Sequence, residues 1–170
     1  MGFFSKLFKK SANDVIYPAA KGEYILLSDL NDGVFSNLAL GDGLAVKFDV
    51  ADDGTFYSPV DGEINLIFPT KHAVGITTKK GANILLHVGI DTVNLQGDGF
   101  EIFVKEGQKV LHGDKIGRID LEKVKNAGYR TECITLVLPE TGNYKLKNLN
   151  EIKTGDKLEL ENPVFEIELN

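Results

Sequence analysis

Glycine and aspartate recur together along this chain at intervals that leave room only for short strands. The pairs are Asp32-Gly33, Gly41-Asp42-Gly43, Asp53-Gly54, Asp61-Gly62, Gly97-Asp98-Gly99, Gly113-Asp114 and Gly155-Asp156. Glycine supplies positive φ in a turn, and aspartate hydrogen-bonds its own backbone there. Between them lie short apolar or alternating runs at 23–27, 44–50, 62–68, 74–78, 84–88, 99–104, 115–120, 133–138, 157–160 and 164–169. Many short strands with regular turns predict an all-β sandwich or barrel. One helix is expected beyond the N-terminus, over 121–127. Asp120 would cap it, Val124 and Ala127 would face inward, and Gly128 would stop it. Long loops remain only near 30–40 and 141–150. Residues 106–116 echo 150–158, each with Gly-Asp-Lys ahead of an apolar strand, which suits a fold with two similar halves.

The 170 residues suffice for one domain with a real core, expected over 15–170 behind an N-terminal segment 1–14. A hydrophobic content of 42% with 26% charged residues is that of a water-exposed globular protein. No apolar run reaches the ~20 residues of a membrane span. A net charge of -6 opposes nucleic-acid binding, since phosphate backbones require basic surface. The single cysteine, Cys133, sits in an apolar run and reads as a packed, inert thiol of a reducing compartment. Without a secretory signal, the cytoplasm is the expected location. Phe3, Phe4, Leu7 and Phe8 fall at helical spacing among Lys6, Lys9 and Lys10. Such a segment suits peripheral contact by residues 1–10 with an anionic membrane at its inner face; the alternative is a terminus that docks or stays unstructured. Lys6 occupies the position where myristoylation needs Ser or Thr.

The chemistry concentrates in Gly81-Ala82-Asn83-Ile84-Leu85-Leu86-His87-Val88-Gly89-Ile90-Asp91-Thr92-Val93. Apolar residues on both sides put the His87 ring at the edge of a packed strand. A buried histidine bonded to a carbonyl is the structural reading. Three features oppose it. Gly89 stands where a side chain would shield the ring, Asp91 and Thr92 bring polar groups to the strand end, and His72 follows Thr70 at i and i+2, one face of a strand. His112, in a turn, reads as exposed and without a role. Neutral imidazole is a nucleophile for phosphorus. A phosphoryl relay also needs a donor for the phosphoryl oxygens and dry walls that strengthen the contact. His72 and Thr70 suit the first, and Val34, Phe35, Leu40, Phe68 and Val93 suit an apolar rim on which another protein docks. A zinc centre on the two histidines and Asp91 is the competing chemistry, although no His-Glu-x-x-His or close ligand cluster is present. A biotinyl- or lipoyl-type carrier would need a modified lysine at a hairpin tip, and neither Lys115 nor Lys157 is so placed.

On these residues the chain closely resembles the glucose-type enzyme IIA of the bacterial phosphoenolpyruvate-dependent sugar phosphotransferase system. That family's signature is glycine, two free positions, three apolar residues, His, apolar, Gly, apolar, any, Thr, apolar. Gly81 through Val93 fits it throughout. The likeness extends to Gly41-Asp42-Gly43-Leu44-Ala45-Val46, Ser58-Pro59-Val60-Asp61-Gly62, Phe68 with Thr70-Lys71-His72-Ala73, and Gly97-Asp98-Gly99-Phe100. It loosens over 11–20 and after Asn143, and Val88 stands where many members have phenylalanine. The resemblance implies an antiparallel β-sandwich with short helical turns. It implies that His87 is phosphorylated through Nε2 while a backbone carbonyl, that of Gly89, holds Nδ1. His72 would steady the phosphoryl group, Thr70 would bond His72, and Asp91 would be a nearby acid, with Asp32 and Asp42 as further candidates. The donor would be the phosphocarrier HPr and the acceptor the IIB domain of a sugar permease, with no dissociable cofactor. The opening Met-Gly-Phe-Phe-Ser-Lys-Leu-Phe is similar to the membrane-tethering segment of stand-alone members, and with no IIB or IIC domain following, a free-standing component is expected.

Overall fold

The computed structural model describes residues 12–170; the expected amphipathic helix of residues 1–10 lies outside them. The strands are β1 (Asp14–Ile16), β2 (Gly22–Leu26), β3 (Asp42–Phe48), β4 (Thr55–Tyr57), β5 (Gly62–Ile67), β6 (Ala73–Thr77), β7 (Asn83–Ile90), β8 (Phe100–Ile102), β9 (Lys109–Val110), β10 (Lys115–Ile119), β11 (Arg130–Val137), β12 (Tyr144–Lys147), β13 (Lys157–Leu158) and β14 (Phe165–Leu169). One helix, α1 (Leu121–Asn126), and several short 3-10 turns complete the described chain. Eight strands form one sheet in the order β13-β2-β3-β11-β7-β6-β5-β9, and two three-stranded sheets run β1-β14-β12 and β4-β10-β8. Every recorded pairing is antiparallel. The expected antiparallel sandwich is the fold observed.

Strand alternation builds the core. Ile84, Leu86 and Val88 of β7, Leu44 and Val46 of β3, and Cys133 and Val137 of β11 are buried together. Facing them are Ile16, Phe165 and Ile167 from one small sheet and Phe56, Phe100, Ile116 and Ile119 from the other. The intervening residues point to the opposite face of the large sheet. There a second, smaller cluster gathers Ala45, Ile134 and Leu136 with Leu27, Leu30 and Phe35 from the segment between β2 and β3. That segment holds two 3-10 turns, Leu27–Leu30 and Phe35–Asn37, and covers part of the outer face. It puts a lid on one region of an otherwise exposed surface.

The echo in the sequence is a repeated turn. Leu111 N donates to Asp114 Oδ2 at 2.8 Å, and Lys153 N donates to Asp156 Oδ2 at 2.9 Å. Gly113 N reaches Ser58 O and Asp114 O receives Ser58 N; Gly155 N reaches Tyr24 O and Asp156 O receives Tyr24 N. Each glycine has positive φ, 86° and 98°. The aspartate thus closes the turn while glycine and aspartate together pin it to a distant residue.

Three expectations need correction. The loop foreseen at 141–150 contains β12, because Tyr144 and Leu146 alternate inward against the core. The helix is capped by Asp120, whose side chain accepts from Lys123 N at 3.0 Å, and Val124 is buried, but Ala127 is exposed because the helix ends one residue before it. Short strands β1, β4 and β9 carry too few apolar residues to announce themselves. Cys133 is fully buried, and burial pushes its thiol well above the usual range. Leu86, fully buried in the central strand β7, tests the core. Leu86→Ala should cost about 2–5 kcal/mol by urea unfolding, and an unchanged midpoint would contradict this packing.

Candidate functional site

His87 lies on the outer face of β7, the opposite side from Ile84, Leu86 and Val88, and the lid segment covers it. The Phe35 ring stands 4.9 Å from the His87 ring, tilted by 60°. Directly across the pairing, His87 opposes Ala73, and Val88 N donates to His72 O at 2.8 Å. The His72 ring therefore meets the His87 ring edge-on, with centroids 4.9 Å apart and planes at 81°. Phe68 sits edge-on to His72 at 5.4 Å. His72 itself is buried, with 4% exposure.

Each imidazole has one nitrogen committed. His87 Nδ1 lies 2.9 Å from Gly89 O. A carbonyl only accepts, so the neutral His87 ring carries its proton on Nδ1 and keeps the Nε2 lone pair free. His72 Nδ1 lies 2.7 Å from Thr70 Oγ1. A hydroxyl both donates and accepts, so this contact admits either tautomer; with the hydroxyl donating, His72 carries its proton on Nε2. Thr70 and His72 belong to the turn between β5 and β6 rather than to a strand. Lys71 between them adopts φ 60°, and its amide closes the turn on Phe68 O at 2.8 Å. The pair is formed by a left-handed turn, not by the strand alternation expected.

Both rings resist protonation. Burial, then the neighbouring His72, pushes His87 down from 6.5 to about 4, against smaller opposite effects of the Gly89 carbonyl and Asp32. Burial likewise lowers His72. Both are therefore neutral near pH 7.

Gly89 is required by the backbone. Its φ is 80°, and a Cβ there would stand 2.3 Å from Thr92 Cγ2 and 2.8 Å from Arg130 O. The crowding is with the chain below and not with the imidazole, so ring access is not what demands glycine here. This kink and a one-residue bulge in β11 between Arg130 and Cys133 turn Ile90 to the outer cluster. They also bring the Gly89 carbonyl back to the ring two residues earlier.

The remaining expected residues divide. Asp32 caps the second 3-10 turn, accepting from Phe35 N at 3.1 Å and Ser36 N at 2.9 Å. Burial alone would raise its carboxyl, but these amides hold it below its usual range. Asp32 thus orders the lid as well as placing charge near His87. Asp91, exposed at φ 62°, closes the turn after β7 with its backbone, its carbonyl accepting from Asn94 N. Asp42 accepts from Gly43 N and lines a groove of about 690 Å³ with Leu38, Tyr144 and Leu146, which contains neither histidine. Val34, Leu40 and Val93 are 43–46% exposed, whereas Phe35 is buried. Leu38, 47% exposed on the lid, was not anticipated, because a lone leucine in a loop carries no periodic signal. His112 is exposed, stacked on Tyr17 and bonded to Asp61 at 2.8 Å. Among the described residues, no group of three or more His, Cys, Asp or Glu is arranged to hold a metal ion.

Fold and site together define a β-sandwich that presents a pair of neutral imidazoles flanked by Phe35 and Phe68 under a lid segment. The model of the family "phosphoenolpyruvate-dependent sugar phosphotransferase system, EIIA 1" matches residues 14–142. The chain is 42% identical over 144 residues to the PTS system beta-glucoside-specific EIIBCA component of Bacillus subtilis, covering 84% of the chain and 23% of that relative. It is 38% identical over 160 residues to the PTS system glucose-specific EIICBA component of Streptococcus pneumoniae, covering 94% of the chain and 21% of that relative. The chain thus spans less than a quarter of these relatives' length. Among solved structures, glucose permease IIA from Mycoplasma capricolum matches with a TM-score of 0.69 and 37% identity, covering 98% of this chain and 99% of that one. The chain belongs to the EIIA 1 family of the phosphoenolpyruvate-dependent sugar phosphotransferase system.

The neutral state of His87 has a measurable consequence. The unfolded chain takes up the His87 proton near 6.5 and the folded one near 4, so the unfolded state holds more protons between them. This contribution to stability is complete above pH 6.5 and lost as pH falls towards 4. An NMR titration should find the His87 ring neutral down to about pH 5; a midpoint at or above 6.5 would contradict the burial described. Gly89→Ala should cost more than about 1 kcal/mol and should displace the His87 ring resonances.

Proposed function

We propose that this chain is a phosphoryl-transfer component of a sugar phosphotransferase system, with His87 as the residue that carries the phosphoryl group. The single observation that supports this is the Gly89 carbonyl on His87 Nδ1, which leaves Nε2 as an uncharged nucleophile. The donor is phospho-HPr. Its nitrogen–phosphorus bond breaks as the His87 Nε2 lone pair forms a new one, and the departing imidazole keeps the bonding electrons. In the second step a nucleophile of the IIB domain attacks the same phosphorus, and the electron pair returns to Nε2. No net redox change or dissociable cofactor enters either step.

His72 steadies the transfer. With Thr70 Oγ1 donating to its Nδ1, His72 holds a proton on Nε2 that hydrogen-bonds a phosphoryl oxygen as charge shifts in the transition state. Phe35 and Phe68 flank the two rings and keep water from one side of each. Exposed Val34, Leu38, Leu40 and Val93 suit docking of a partner with an apolar patch, with Gly89 and Asp91 at the strand end beneath it. The relatives' names join an A component to B and C components in one chain, which supports a IIB partner. Among the described residues no helix is long and apolar enough to cross a membrane. We place the enzyme IIA domain expected over 15–170 in the cytoplasm at the inner face of the membrane, its first strand starting one residue earlier, at Asp14.

Incubation with phosphoenolpyruvate, enzyme I and HPr should give an acid-labile, base-stable phosphate on the wild-type chain and none on His87→Gln. Equal labelling of the two would refute the assignment. His72→Gln should still accept phosphate, but transfer to IIB should slow by about 10²–10³-fold. Full transfer by that variant would remove His72 from the mechanism.

A further inference from the structure

The lid over His87 is tied down by a side chain that lies outside the site. Arg130, at the start of β11, donates from Nη1 to Leu30 O at 2.6 Å. Its Nε and Nη2 both donate to Glu132 Oε1, at 3.1 and 2.8 Å. All three guanidinium nitrogens are therefore engaged, in the fork geometry that only arginine offers. The Arg130 side chain is 43% exposed, whereas that of Glu132 is only 14% exposed. Glu132 Oε2 is buried and has no partner among the described residues, so Arg130 is the group that neutralises this carboxylate.

The position of Leu30 gives the contact its consequence. Leu30 ends the first 3-10 turn of the lid, where carbonyls lack partners within the turn. Asn31 follows in the left-handed region at φ 54° and reverses the chain. Asp32 comes next and caps the second turn through Phe35 N and Ser36 N. Phe35 is the ring against His87. Only four residues thus separate the clamped carbonyl from the wall of the site. The apolar cluster beneath the lid is small, and Val34, Leu38 and Leu40 gain little from it because they are 43–47% exposed. Leu27, Leu30 and Phe35 anchor the lid by burial, and the polar contact at the Leu30 carbonyl adds a directional tie to that packing.

We propose that Arg130, braced by Glu132, is a positioning residue that clamps the 27–40 lid over His87 and so sets how well the site receives its phosphoryl donor. This rests on His87 as the phosphoryl acceptor, but the clamp itself is tested separately. Arg130→Lys keeps a cation beside Glu132, yet one ammonium cannot fill the fork to Glu132 and reach Leu30 O together. Amide hydrogen exchange at Phe35 and Ser36 should accelerate by about ten-fold, the loss of one charge-assisted hydrogen bond. Exchange in the central strand β7 should stay as in wild type. In phosphotransfer the KM for phospho-HPr should rise by a similar factor with kcat nearly unchanged. Glu132→Gln, which removes the charge of the brace but keeps an oxygen that accepts from Arg130, should move the same quantities less. Unchanged exchange at Phe35 and Ser36, or a uniform acceleration that includes β7, would overturn the clamp. A faster lid with an unchanged KM would overturn its role in receiving the donor. Failure of the wild-type chain to take phosphate on His87 would instead refute the function, while the exchange result would still decide the clamp.

Discussion

The hydrogen bond from His87 Nδ1 to the Gly89 carbonyl is the constraint on which this site depends. It spans only two residues of one strand, and a regular strand cannot make it, since the carbonyl must turn back towards a side chain it has already passed. The kink at Gly89 supplies the turn, at φ 80°. The kink in turn needs space against Thr92 and Arg130 that any side chain would fill. A one-residue bulge in β11 accommodates it on the neighbouring strand. The chemistry of one imidazole nitrogen is thus written into the backbone of two strands.

Burial then sets the charge. The large sheet has a well-filled inner face and an outer face with only a small cluster, and the histidines occupy that outer face. Were they in the main core, no partner could reach them. Were they fully exposed, they would protonate near pH 6.5 and lose the lone pair over much of the physiological range. The lid holds them between these limits. His72 also depresses His87, since an imidazole protonates less easily beside a second one. Two neutral rings at an edge-on contact are the electrostatic outcome.

Much of this was legible in the residues. The Gly-Asp pairs marked the turns, and the alternating runs located ten of the strands because inward residues are apolar at every second position. The repeated Gly-Asp-Lys marked two equivalent turns, while their pinning to Ser58 and Tyr24 appears only in the fold. His87 stood out because a histidine among Ile84, Leu85, Leu86 and Val88 interrupts an apolar run. Less legible was anything fixed by contacts between distant segments. The reach of Arg130 to Leu30 across 100 positions follows no periodicity. Strands β1 and β12 are short and gain their identity only by pairing with β14. Gly89 was recognisable as special, but its reason was not, because the clash with Thr92 and Arg130 exists only once β7 and β11 are side by side. Likewise Thr70 and His72 were rightly paired through the wrong geometry, since the left-handed Lys71 has no signature in sequence.

The central claim is the tautomer of His87, and nitrogen-15 NMR of the imidazole reads it directly. In the unphosphorylated protein at neutral pH, Nδ1 should show the shift of a protonated, pyrrole-type nitrogen and Nε2 that of a free lone pair. After phosphorylation the phosphorus coupling should appear on Nε2. A proton on Nε2 in the free protein, or phosphorus bonded to Nδ1, would contradict the account.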